Sequence, residues 1–124
     1  MLYKRRGHHR KICVLRVSPE VMDLADVVVT SGNAASNYIR FAAAPGGLRI
    51  VDRELTFAKS WNDSDYYEKC RKSVAKCAEV LVPNRIDPRY IMGAYVSCEE
   101  ARDDFADLST GLRVEINRDL FFNV

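Results

Sequence analysis

The chain has 124 residues, 48% of them hydrophobic and 29% charged, with a net charge of +2. That length suits one domain with a real core, and the near balance of charge excludes a polyelectrolyte that would bind nucleic acid by charge alone. No apolar run approaches the roughly 20 residues that span a bilayer, no apolar stretch of the secretory kind follows Lys4-Arg5-Arg6, and Cys13, Cys70, Cys77 and Cys98 form no Cys-x-x-Cys pair. The expectation is one cytoplasmic domain over residues 1–124 with reduced thiols, no membrane and no metal.

Taken in chain order, Lys11 to Val17 is β-branched and apolar enough for a buried strand. Ser18-Pro19-Glu20 places a cap before a proline and starts a short helix through Leu24. Val27 to Thr30 reads as a second strand ending at the turn Ser31-Gly32-Asn33, and Ala34 to Phe41 as a helical turn or two. Pro45-Gly46-Gly47 breaks the chain before a strand edge at Leu48 to Val51, and Asp52 to Ser60 stays open between helix and loop. Asp63-Ser64-Asp65 supplies cap oxygens for a helix running through Val74. Ala78 to Val82 is a strand stopped by Pro83, and Met92 to Ser97 is another. Glu99 to Leu108 is a polar surface helix, followed by a half-exposed strand at Leu112 to Ile116. Phe41, Phe57, Phe105, Phe121 and Phe122 are expected core, with Cys70 and Cys77 as small apolar packers.

Charge is segregated. Six basic residues and no carboxylate lie between Met1 and Val17, whereas Cys98 to Leu108 carries Glu99, Glu100, Asp103, Asp104 and Asp107 against Arg102. The adjacent His8 and His9 have no second ligand cluster and do not make a metal site. Gly32, Gly46 and Gly47 are turn glycines, not a phosphate loop.

Several stretches resemble, in order, the DarT-like DNA thymidine ADP-ribosyltransferase family. They are Met1-Leu2-Tyr3, Gly32-Asn33-Ala34-Ala35-Ser36, Ala78-Glu79-Val80-Leu81-Val82-Pro83 and Ile86-Asp87-Pro88-Arg89-Tyr90-Ile91. The resemblance implies an α+β fold: a compact ADP-ribosyltransferase-like mixed or antiparallel sheet with short flanking helices. Nothing here matches the early histidine motif and arginine that such proteins carry ahead of Met-Leu-Tyr, so the fold is expected to be truncated at the N-terminus, and His8 and His9 do not take that histidine's place. Strand edges bared by such a truncation would suit a homodimer.

The family cleaves NAD and transfers ADP-ribose to thymidine in single-stranded DNA, and its members act as toxins or phage-defence effectors. Carried onto this chain, the resemblance makes Glu79 the catalytic carboxylate, NAD a substrate, residues 62–76 the substrate-recognition segment, and Asn33 part of an element near the cleft. A carboxylate suits that chemistry because the transfer passes through a cationic, oxocarbenium-like sugar. From pattern alone, Glu79 reads rather as an outward-facing or salt-bridged strand residue with Lys76 or Arg71 as partner, and only the resemblance brings the two readings level. Tyr66, Tyr67, Lys69, Arg71, Lys72 and Lys76, with Trp61 just before, could stack bases and hold phosphates. The pattern alone favours an amphipathic helix with a solvated basic face and tyrosines on the core.

A second reading is a non-catalytic binding protein, for instance a phage-encoded inhibitor of the anti-CRISPR type that docks on a nucleic-acid-binding surface of a defence complex. Its interacting residues would be Arg5 and Arg6 at the basic end and Glu99, Glu100, Asp103 and Asp104 on the acidic helix.

Overall fold

A computed structural model describes residues 2–60 and 62–122. The chain divides into two compact units, one made of Met1–Ser18 with Asp87–Val124 and the other of Pro19–Ile86. Each holds a three-stranded sheet with short helices, the α+β architecture expected from the resemblance.

In the first unit, β1 (Val14–Val17) pairs antiparallel with β5 (Ile91–Val96), which pairs in parallel with β6 (Val114–Ile116). The helix α3 (Glu99–Ala106) turns Ala101 and Phe105 onto Ala94 and Val96 of β5, and Leu112, Val114 and Ile116 pack around them. Gly93 sits where β5 meets the chain entering β6, and a Cβ there would lie 2.6 Å from the Arg113 carbonyl oxygen. The strand expected to be buried over Lys11 to Val17 is instead a four-residue edge strand whose alternate residues Leu15 and Val17 are exposed, because side chains alternate between faces and one face is uncovered. The basic stretch Leu2–Lys11 winds into 3-10 helix with a kink at His8.

In the second unit, β2 (Val28–Thr30) is the central strand, flanked antiparallel by β3 (Phe41–Ala43) and β4 (Val80–Leu81). Val27, Val29 and Thr30 are buried. The helical turns expected over residues 34–41 do not form. Asn33 folds the chain into a turn, and Phe41 opens β3. The strand expected at Leu48 to Val51 is a 3-10 helix, Gly46–Ile50. Its start is fixed by Gly47, where a Cβ would lie 2.6 Å from the Ala42 carbonyl oxygen.

Residues 53–56 form α1 (Arg53–Thr56), whose Leu55 N–H donates to the Asp52 side chain, and Tyr66–Ala75 forms α2. Thr56 Oγ1 donates to the Ala75 carbonyl at 3.0 Å and ties the two helices. Phe105 and Phe121 are core as expected, but Phe41, Phe57 and Phe122 are exposed, as are Cys70 and Cys77. The short elements carrying them present too little surface to cover both faces.

Candidate active site

The site is built on the end of β2. Antiparallel register puts Thr30 opposite Glu79, the residue just before β4. Thr30 N–H donates to the Glu79 carbonyl at 2.9 Å, and Glu79 N–H donates to Thr30 Oγ1 at 3.0 Å. The same hydroxyl, wholly buried, donates to the Gly32 carbonyl at 2.6 Å. Both backbone groups of Glu79 are therefore fixed by one threonine, which also steers the turn that follows β2.

That turn returns to the carboxylate. Ala34 N–H donates to Glu79 Oε2 at 2.8 Å, joining two segments 45 residues apart. Oε1 has no partner among the described residues. Asn33 is placed beside the carboxylate through its neighbour, and its own Oδ1 accepts from Ala35 N–H at 2.9 Å, which makes it the former of the turn. The loop closes on itself where Ser31 N–H donates to the Arg40 carbonyl at 3.0 Å and Arg40 N–H donates to Ser31 Oγ at 2.9 Å. Gly32 leaves no room for a side chain, since a Cβ there would be 2.9 Å from Val74 Cγ1 and 3.1 Å from Ile39 Cγ2. On the returning side, two residues before Arg40, Tyr38 adopts φ 64° with its side chain fully in solvent.

The helix α2 begins as the sequence indicates: Asp65 accepts from Tyr67 N–H at 2.7 Å and from Glu68 N–H at 3.4 Å. Tyr66 and Tyr67 do not pack on the core; they are 81% and 70% exposed. The Cys70 side chain, one turn on, pushes the Tyr66 phenol above its usual range. The cations divide. Arg71 pairs with Glu68 at 2.8 Å, which raises its pKa, and Lys72 pairs with Asp63 at 2.8 Å. Lys76 donates to the Ala58 carbonyl, and Lys69 is exposed. Arg71 and Lys76, the partners first considered for Glu79, thus have these partners of their own, while the glutamate's carboxylate is met by an amide. Trp61 lies outside the described residues, as does Met1 of the Met-Leu-Tyr stretch.

In the first unit, Arg5 is exposed along the basic 3-10 segment, which also contains Arg6. Arg10 meets Glu100 at 3.6 Å, so the basic and acidic segments touch each other. The Glu100 carboxyl is held below its usual range by its own backbone N–H, the Cys98 thiol and the Arg10 guanidinium. Glu99 and Asp103 both lie against Arg102, and Asp104 is exposed. His9 Nδ1 lies 2.7 Å from the buried Ser97 Oγ. Among the described residues, no group of three or more His, Cys, Asp or Glu side chains could hold a metal ion, and no helix is long and apolar enough to cross a membrane.

Thr30 and Tyr38 are the residues that the sequence alone did not single out. Thr30 ends a β-branched run just before the turn Ser31-Gly32-Asn33, which is the one signal that pointed to it.

The fold is of the ADP-ribosyltransferase kind: it matches the solved structure of Thermosipho africanus DarTG in complex with ADP-ribose, with a TM-score of 0.78 and 24% identity over 98% of this chain and 33% of that one. The chain belongs to the family described as ssDNA thymidine ADP-ribosyltransferase, DarT, whose sequence model matches residues 1–122. It is also 30% identical over 92 residues to a DNA ADP-ribosyl transferase-DNA ADP-ribosyl glycohydrolase fusion protein of Thermosipho africanus (strain H17ap60334). That match takes in 73% of this chain and 22% of the fusion protein, so the chain spans about a fifth of that relative's length.

Proposed function

We propose that the chain transfers ADP-ribose from NAD to thymidine in single-stranded DNA, with Glu79 as the carboxylate that faces the reacting sugar. The observation that supports this most is the hydrogen bond from Ala34 N–H to Glu79 Oε2 at 2.8 Å. It joins two segments that the family resemblance singles out and holds a carboxylate at the surface with Oε1 unpartnered among the described residues. In ADP-ribosyl transfer the bond between ribose C1′ and nicotinamide breaks, its electron pair leaving with nicotinamide, and the acceptor bonds to C1′ and gives up a proton. Glu79 stabilises the positive charge that develops on the sugar and accepts that proton. Asn33 shapes the loop beside Glu79, and Tyr66, Tyr67 and Lys69 offer exposed rings and a cation to the strand. Arg71, Lys72 and Lys76 are anchored to Glu68, Asp63 and the Ala58 carbonyl.

The test is transfer of label from NAD to a thymidine-containing single strand. The substitution Glu79→Gln keeps an oxygen for Ala34 N–H and removes the charge. It should leave the circular dichroism spectrum unchanged and lower transfer by about a hundredfold or more. Equal transfer by both proteins, or none by the wild type, would refute the assignment. The alternative of a non-catalytic docking protein has less support, since Arg10 and Glu100 pair with each other and Glu99 and Asp103 gather about Arg102.

A further inference from the structure

We infer that Tyr38 is a platform on which a nucleobase of the single strand stacks, carried on the loop that Ala34 fastens to Glu79. The inference rests on the reading that the acceptor is single-stranded DNA, and it adds the element that grips a base. The ring is fully exposed, and neither it nor the hydroxyl has a partner among the described residues. The backbone beneath it has φ 64°, a region that disfavours a residue with a bulky Cβ substituent. Phe122 also takes this conformation, but there it caps a 3-10 turn. Tyr38 takes it within the turn at Asn37 and Tyr38, where glycine or asparagine is the usual residue and a large ring in water adds nothing to the turn.

The loop that carries the ring is braced. Ser31 and Arg40 close its base with two hydrogen bonds, and Ala34 fastens its first half to the Glu79 carboxylate. An aromatic face on a braced loop loses little freedom when a base stacks on it, and any base presents a suitable face. Arg40 Nη2 donates to the Ile50 carbonyl at 3.3 Å, which stiffens the same loop end and leaves other guanidinium donors directed elsewhere.

The experiment measures anisotropy of a labelled oligothymidine strand and of the same strand with abasic sites, on the wild type, Tyr38→Phe and Tyr38→Gly. Glycine suits the positive φ, so that variant should fold at least as well. Tyr38→Phe should bind within about twofold of the wild type, and Tyr38→Gly about tenfold more weakly. On the abasic strand the wild type should fall at least as far as Tyr38→Gly falls on oligothymidine, and the substitution should have no further effect. Equal binding of oligothymidine by wild type and Tyr38→Gly would overturn the platform, as would absence of strand binding by the wild type. A parallel NAD titration separates the two sources of a flat base: a loss confined to NAD would also overturn it. Binding that depends on Tyr38 in a protein without transferase activity would refute the proposed function and leave the platform standing.

Discussion

Removing the Thr30 hydroxyl would leave two polar groups at the end of β2 without a partner, the Gly32 carbonyl and the Glu79 N–H. Valine fills the same volume but supplies neither bond, and stranded groups in a buried position cost about 2–3 kcal/mol. Thr30→Val should therefore lower the urea-denaturation free energy by about that amount, and Thr30→Ser should recover most of it. Because the hydroxyl also fixes the Glu79 backbone, Thr30→Val should reduce transfer beyond what its stability predicts at temperatures where it is folded. Stability lost with full transfer retained would show that Thr30 supports the sheet without positioning the carboxylate.

Among the elements, α2 carries the clearest electrostatic signature. The Lys72 ammonium, and after it the Asp65 N–H, hold the Asp63 carboxyl below its ordinary value of 3.8. As pH falls, the unfolded chain takes up this proton first. The contribution is thus present above the ordinary value and is lost as pH falls through the lower folded one. Urea midpoints should decline below about pH 4, and Asp63→Asn should decline less steeply; parallel curves would show that the pair does not contribute.

The cap that opens this helix was legible, since three consecutive polar residues with two carboxylates before Tyr66 have few other uses. The segment after Gly32 was not. Ala34 to Phe41 has helix-forming residues, but the Asn33 turn and the carboxylate of Glu79 claim its first amides. The 3-10 helix at Gly46–Ile50 was hidden for a related reason, the close approach of Gly47 to Ala42, which has no periodicity to announce it. Within the site, Glu79 and Asn33 were read through the family resemblance. Thr30 was missed because a hydroxyl shared between two distant strands leaves no local pattern, and Tyr38 because a positive φ on an aromatic residue is foreign to propensity.

For the whole molecule, the net charge is only +2, and two of the cations of α2, Arg71 and Lys72, are already paired with carboxylates. Strand affinity should fall with salt at a log–log slope of about −2, the value for about three phosphate contacts on single strands. A slope steeper than about −4 would mean that the basic Leu2–Lys11 segment also engages the strand. The bond between Ala34 and Glu79 has a use here that is independent of turnover. In a chain of 124 residues, single amides resolve by solution NMR. The Ala34 amide is thus a native spectroscopic probe: a ligand that takes Glu79 Oε1 alone leaves this proton protected, whereas one that draws the carboxylate away releases it to exchange.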